Sequence, residues 1–227
     1  MHRVQKLMSN YGYCSRRRAE ELIKLGKVKV NGKTISIGDK AGDNDNISVD
    51  GEIIAKQEKI YLMLNKPPGC VTALRDRHNR TIMEYIDIKE MVFPVGRLDK
   101  DTSGLILLTN DGDFSNNVMH PRYEVEKTYL VKIDKPVFNR DIRFIESGVK
   151  LEEFTTNPAK VSRQTSTILK VTIHEGKRHI IKRMFEKLGF NVVALKRLKI
   201  GGLEIGHLHP GKYRKLSVKD IEQIFIK

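Results

Sequence analysis

The sequence predicts an α+β protein in two parts, a small helical and hairpin module followed by a larger domain of mixed strands and helices. Three observations carry this reading. Within the first fifty residues, apolar positions recur twice at helical spacing and then alternate around an Asn-Gly turn. Beyond residue 60, short apolar runs interleave with segments of helical spacing. Between the two lies a polar, acidic stretch, residues 40–59, with Gly42, Asp43, Asn44, Asp45 and Gly51. The boundary falls near Lys56 to Lys59, giving domains 1–58 and 59–227. A chain of 227 residues is long enough for each part to bury a core.

Val4, Leu7, Met8 and Tyr11 set the first helix, and Gly12 can stop it. Ser15 suits the N-cap of a second helix, whose apolar face is Ala19, Leu22 and Ile23 and whose C-terminal turn suits Gly26. Val28-Lys29-Val30 alternates as a strand. Asn31-Gly32 tolerates the positive φ of a tight hairpin, and Thr34 to Ile37 is the expected return strand, with Ile47-Ser48-Val49 as an addition to the same module. Ile60 to Leu64 is a strand stopped by Asn65-Lys66-Pro67-Pro68-Gly69. Val92 to Val95 leads into a Gly96-Arg97-Leu98-Asp99 turn, and Leu105 to Leu108 reads as a buried strand ending at Asp111-Gly112. Phe114 to His120 is expected to be a helix closed by Pro121. Thr128 to Ile133 and Ile168 to Ile173 alternate as strands, and Ile181, Met184, Phe185 and Leu188 form a helical face before Gly189.

The charge is lopsided, 42 Lys and Arg against 28 Asp and Glu, a net +14. Such an excess favours a polyanionic partner, nucleic acid being the usual one, over a generically basic soluble protein. Residues 1–40 alone hold ten Lys or Arg and three acids, with Arg16, Arg17 and Arg18 at a helix start and Lys27 and Lys29 after it. Guanidinium and backbone N–H groups there suit phosphate oxygens; a solvated basic face is the competing reading. The two cysteines, Cys14 and Cys70, lie far apart and fit no metal-ligand spacing, so a reducing compartment, the cytoplasm, is expected. No apolar run of about 18 residues is present, so no membrane span is expected. Met1-His2-Arg3-Val4 opens a structured pattern at once, without the apolar stretch of a secretory signal.

The densest special segment is Gly96-Arg97-Leu98-Asp99-Lys100-Asp101-Thr102-Ser103-Gly104-Leu105, continuing through Leu108 to Gly112: a charged loop entering an apolar strand. Reactive side chains often sit on loops held by rigid strands. Taken by itself, Asp99 could equally be a capping carboxylate of a turn.

Two resemblances sharpen this. Ser15-Arg16-Arg17-Arg18-Ala19-Glu20-Glu21-Leu22-Ile23 with Gly26-Lys27-Val28-Lys29-Val30-Asn31-Gly32-Lys33 resembles the αL-type RNA-binding module, over about residues 2–50. The Gly96 segment resembles the Gly-Arg-Leu-Asp-x-x-Thr-Ser-Gly-Leu signature of the RsuA/RluB family of ribosomal RNA pseudouridine synthases. Further landmarks follow in the family's order: Leu64 to Gly69, His120-Pro121, Glu126-Lys127-Thr128-Tyr129, Glu175-Gly176-Lys177, Lys182 to Phe185, Gly201-Gly202-Leu203 and Pro210-Gly211.

The resemblance implies a larger domain built on a mainly antiparallel sheet with flanking helices, and isomerisation of uridine to pseudouridine in ribosomal RNA. That reaction has no net redox or hydrolytic step, so no cofactor or metal is implied. It makes Asp99 the catalytic carboxylate, as nucleophile at the sugar or as base beside it, and Lys182 its ion-pair partner. An alternative for Lys182 is a weak surface pair with Glu186. Tyr129 would stack on the target base, Arg97 would brace the RNA near the flipped nucleotide, and Leu195 would pack against the base. Arg3, Lys6, Arg16, Arg17, Arg18, Lys27, Lys29, Lys177, Arg178 and Arg183 are the expected RNA-binding residues. The implied partner is ribosomal RNA or an assembling subunit, with a lean toward the large one, and the implied state is a cytoplasmic monomer.

One departure stands out: in Arg178-His179-Ile180-Ile181-Lys182, Ile180 takes the place where the family usually has Gln or Glu, predicting altered local packing or substrate contacts with catalysis retained. His174, His179, His207 and His209 make no convincing metal site; His207 and His209 would share one face of a strand at the surface. The rival readings are a non-catalytic RNA-binding assembly factor on the same fold, a DNA-binding protein using the helix near Ser15, and an enzyme acting on tRNA.

Overall fold

The computed structural model describes residues 1–42 and 44–226; Asp43 of the acidic stretch and Lys227, the last residue of the larger expected domain, lie outside the described residues. The chain forms two compact units. The first comprises Met1–Tyr61 with two later segments, Ile88–Phe93 and Leu108–Ser115, and the second comprises Leu62–Asp87, Pro94–Leu107 and Asn116–Lys227.

In the first unit, helices α1 (Val4–Asn10) and α2 (Arg16–Lys24) pack with short strands β1 (His2–Arg3), β2 (Val28–Val30), β3 (Lys33–Thr34), β4 (Lys40–Ala41), β5 (Ile47–Val49) and β6 (Glu52–Ile53). Ser15 Oγ accepts the Arg18 N–H at 3.2 Å and caps α2. At the other end, Lys27 N bonds Leu22 O and Gly26 N bonds Ile23 O, a Schellman closure that needs the positive φ of Gly26. Asn31 and Gly32, at φ 50° and 80°, make the β2–β3 hairpin. The return strand covers Lys33–Thr34 and not Thr34 to Ile37. Beyond Thr34 the chain turns, because the Asp39 carboxylate accepts the Ser36 N–H at 2.8 Å and Asp39 N–H returns to Ser36 O. Val4, Leu7, Met8, Ala19, Ile23 and Ile47, all at most 3% exposed, form this core.

Segment Leu108–Ser115 joins this unit through side-chain bonds. Asn110 accepts Ile60 N–H and Thr109 Oγ1 donates to Ile60 O. Burial would raise the Asp111 pKa, but Lys59 Nζ at 2.6 Å, the Phe114 amide and the Tyr61 hydroxyl at 2.9 Å hold it below the usual carboxylate range.

The remaining strands are β7 (Tyr61–Lys66), β8 (Phe93–Val95), β9 (Ser103–Thr109), β10 (Lys127–Ile133), β11 (Lys160–Arg163), β12 (Ile168–Ile173), β13 (Val192–Ile200), β14 (Leu203–Glu204) and β15 (Tyr213–Lys215). They form one sheet in the order β11-β12-β10-β13-β9-β7-β15, with β14 on β13 and β8 on β9. The ladders are mainly antiparallel; β9 and β13 pair in parallel, Gly104 opposite Arg197. Gly104 is what lets them approach: a Cβ there would lie 2.2 Å from Arg197 O, and its φ is +106°. The expected α+β architecture with a mainly antiparallel sheet is therefore present.

Helices α3 (Gly112–Met119), α4 (Asn139–Ser147), α5 (Ile180–Lys187) and α6 (Val218–Ile224) flank it. The helix expected from Phe114 starts two residues earlier, because Asp111 Oδ1 accepts the N–H groups of Asp113 and Phe114. Ile181, Met184 and Phe185 of α5 pack on Val131, Leu169 and Val171 of the sheet in the larger core. Gly189 ends α5 in a second Schellman closure, with Phe190 N on Phe185 O and their rings 6.4 Å apart. His207 and His209 lie in an exposed loop, not on a strand, because Gly206, at φ +55°, turns the chain after β14. Among the described residues no helix is long and apolar enough to cross a membrane.

Candidate active site

Asp99 sits on the turn that joins β8 to β9, within the second unit. This turn is strapped from three sides. Thr72 Oγ1 donates to Leu98 O at 2.7 Å and accepts Leu98 N–H at 3.1 Å. Gly69 N–H bonds Lys100 O at 2.7 Å, and Thr102 N–H closes on Asp99 O at 3.1 Å. Lys66 is fully buried at the end of β7 and spends its ammonium on three carbonyls, Pro67, Lys100 and Thr102, at 3.1, 3.2 and 2.8 Å. Burial pushes the Lys66 ammonium below the ordinary lysine range, while Asp101 and Asp99 pull it back. The prolines after Lys66 end β7 at the point where its side chain meets the turn, which explains why a strand and a catalytic-type loop carry special residues together.

The turn opens into a cavity of about 290 Å³. Of the residues expected at the site, Arg97, Asp99, Tyr129, Leu195, Lys177 and Arg178 all line it. Tyr129 comes from β10 and Leu195 from β13, adjacent strands whose residues Tyr129 and Arg197 are cross-strand partners. Arg97 is exposed and Leu195 is buried.

The ion pair expected between Asp99 and Lys182 is not formed. Lys182 Nζ lies 2.6 Å from Asp101 Oδ2, and neither Asp99 nor Glu186 is its partner. The group against Asp99 is His179, with Nε2 3.2 Å from Oδ1. The cause is local backbone geometry. His179 is the N-cap of α5 in a left-handed conformation, φ 53°, so the chain enters the helix with its ring at Asp99. Lys182, nearly one turn further on, reaches the next carboxylate of the same turn. The hydrogen bond from Lys182 holds the Asp101 carboxyl below the usual carboxylate range. Ile180, where a polar residue was the family expectation, is 6% exposed and belongs to the apolar core.

The sequence assigns no role to two further cavity residues, although Lys127 lies within the Glu126–Tyr129 landmark. Lys127 and Arg197 are 5% and 4% exposed. Lys127 Nζ donates to Val125 O at 2.8 Å, and Arg197 Nε to Leu105 O at 2.7 Å. Arg197 is brought inward at a bulge: Thr128 pairs with Lys199 and Tyr129 with Arg197, leaving Leu198 unopposed. Charged residues in strands read as solvent-facing; here Lys127 lies between Ile173 of β12 and Ile200 of β13, and Arg197 lies where β13 meets Gly104 of β9.

The expected RNA-binding residues divide into two sets. Arg18, Lys6, Lys27, Lys177 and Arg183 already hold Glu21, Asp113, Asp50, Glu175 and Glu153. Lys177 also lies 3.2 Å above the Phe154 ring. Arg3, Arg16, Arg17, Lys29 and Arg178 are exposed.

Residues 60–187 match the RNA pseudouridylate synthase family, and residues 2–47 match the S4 domain. Ribosomal large subunit pseudouridine synthase B of Bacillus subtilis (strain 168) is 41% identical over 233 residues, covering 99% of this chain and 96% of that protein. The dual-specificity RNA pseudouridine synthase RluF of Escherichia coli (strain K12) is 35% identical over 226 residues, covering 98% and 78%. A solved crystal structure of a pseudouridylate synthase superposes with a TM-score of 0.74 at 36% identity, covering 99% of this chain and 100% of that one.

Proposed function

The chain belongs to the RNA pseudouridylate synthase family, and we propose that it isomerises uridine to pseudouridine in ribosomal RNA with Asp99 as the catalytic carboxylate. The observation that carries this reading is the Asp99 side chain, held on a strapped turn and opening into a cavity walled by Tyr129. The reaction breaks the C1′–N1 bond of uridine, turns the base and rejoins it through C5, whose proton leaves to solvent. A carboxylate beside the ribose serves this by attacking C1′ or by removing the C2′ proton. Tyr129 stacks on the flipped uracil, Leu195 packs against it, and Arg97 braces the RNA at the cavity rim. His179 is the polar partner of Asp99, and Lys182 positions the turn through Asp101.

Residues 1–58 serve as the RNA-binding domain and 59–227 as the catalytic domain. Arg3, Lys6, Arg16, Arg17, Arg18, Lys27 and Lys29 contact RNA from the first, and Lys177, Arg178 and Arg183 from the second. The substrate is large-subunit ribosomal RNA, naked or in an assembling particle, which places the enzyme in the cytoplasm. A monomer suffices, since one chain supplies all the groups named around the cavity.

The test is tritium release from ribosomal RNA lacking its modifications and labelled at uridine C5. Wild type releases tritium, and Asp99→Asn folds and binds RNA but releases none. Near-full activity in Asp99→Asn removes Asp99 from the chemistry. RNA binding without release by wild type favours the assembly-factor reading.

A further inference from the structure

Two buried cations face the cavity with no acid paired to them among the described residues. Lys127 has a single carbonyl partner, and Arg197 uses Nε on another carbonyl while its Nη2 is buried with no hydrogen-bond partner among the described residues. Thr102 Oγ1, also in the cavity wall, is likewise buried and unpaired. The cavity's carboxylates are committed elsewhere: Asp99 faces His179, and Glu175 holds Lys177 and the Asn157 amide. A buried donor left unpaired costs free energy, and a buried cation costs more. A site that keeps such groups around an open cavity is built for an acceptor-rich ligand that brings no cation of its own.

The neighbours identify which part of the ligand is met. Arg197 Cζ lies 6.0 Å from the centre of the Tyr129 ring, and Lys127 is two residues before Tyr129 on the same face of β10. A planar base stacked on Tyr129 therefore has its edge within this cationic neighbourhood. Uracil offers two carbonyl acceptors, O2 and O4, whereas cytosine replaces O4 by an amino donor.

We propose that Lys127 and Arg197 form a base-binding floor that donates hydrogen bonds to the carbonyl oxygens of the target uracil and carries the negative charge that gathers on the ring as the C1′–N1 bond breaks. The inference rests on the uridine-isomerase reading and extends it to the leaving base. When that bond breaks, its electron pair stays with uracil, spread over N1, O2 and O4. When C5 bonds to C1′, the pair is used in the new bond, C5 loses its proton and N1 gains one, so atoms and charge balance. Preplaced donors in a water-poor site stabilise such a developing anion without reorganising. Burial, with Arg197 beside it, lowers the Lys127 pKa to about 8.

The experiment measures single-turnover rates with enzyme in excess over large-subunit ribosomal RNA transcripts containing either uridine or 5-fluorouridine. Conversion is read by nucleoside mass spectrometry as the change from an N–C to a C–C glycosidic bond; at 5-fluorouridine, where C5 has no proton to lose, solvent water adds across the C6=N1 bond left by C5–C1′ bond formation, and this C5-linked hydrate is the product counted. Fluorine makes N1 a better leaving group, so less charge needs support. Lys127→Met and Arg197→Gln are expected to slow the uridine substrate about 100-fold, with unchanged RNA retention on filters and a loss of only about tenfold on the fluorinated RNA. Wild-type rates in both variants, or equal losses on both substrates, overturn the proposal. Should Lys127→Met fail to fold, Lys127→Arg keeps the charge and is expected to retain most of the rate; a 100-fold loss in that variant with a native melting curve overturns it as well. Failure of the isomerase reading is separately visible, since wild type itself then converts neither RNA.

Discussion

Lys127 is stable only at a cost to the free protein. Burial, with Arg197 nearby, brings its pKa down to about 8 from an ordinary 10.5. Below pH 8 the folded chain carries the full cost of a buried charge. Between about pH 8 and 10.5 the unfolded chain binds more protons than the folded one, so that cost is relieved as pH rises. The gap corresponds to roughly 3 kcal/mol. Lys127→Met should therefore stabilise the protein at pH 7 by about 1–3 kcal/mol, even as it slows the reaction, and the gain should vanish above pH 10.5. Urea midpoints of both proteins across this range check the sign; a less stable variant at pH 7 would mean the ammonium is well solvated or well paired. At Asp101 the sense is opposite: its lowered pKa adds stability that is present at neutral pH and lost as pH falls through the acid range.

At the scale of elements, the β9–β13 contact and helix α2 bear the sharpest expectations. Gly104→Ala places a methyl 2.2 Å from a backbone oxygen at a left-handed φ, and no side-chain rotation relieves it. The strands must part, and a loss of about 3 kcal/mol or more is expected, with Arg197 and Leu195 leaving the cavity wall. Thermal unfolding and tritium release should fall together. On α2, Arg16 and Arg17 are exposed, while Arg18 is held by Glu21 at 2.8 Å. Replacing all three with Ala should weaken RNA binding and flatten its salt dependence by about two in the log–log slope, Arg18 adding least because it must first leave Glu21. An unchanged slope would take α2 off the RNA.

Across the whole molecule, what the sequence revealed and what it hid follow one physical division. Elements bounded by local chemistry were legible: the Ser15 cap, the Asn31-Gly32 hairpin, and the closures at Gly26 and Gly189, each decided by residues a few positions apart. So were Asp99, Tyr129 and Leu195 as neighbours, through the family resemblance. Strand β13 escaped because Lys196, Arg197 and Lys199 break its apolar alternation, and its partners lie far away in the chain. The buried roles of Lys66, Lys127 and Arg197 were hidden for the same reason, since a cation reads as solvated until a distant strand covers it. The exchange of His179 for Lys182 beside Asp99 turned on one left-handed residue, which periodicity does not report.

The bond from Arg197 to Leu105 spans 92 residues of chain, and the pairing of β9 with β13 spans the same stretch. Closing so long a loop is slow compared with forming a hairpin or a helical turn. During synthesis, Asp99 and Tyr129 emerge well before the strand that completes their cavity. The unit built mostly of Met1–Tyr61, by contrast, has short-range pairings such as β2 with β3 and β5. A growing chain can thus acquire a folded RNA-facing surface while its chemistry is still unassembled, and a ribosome making this protein is not exposed to its activity until the final strands arrive.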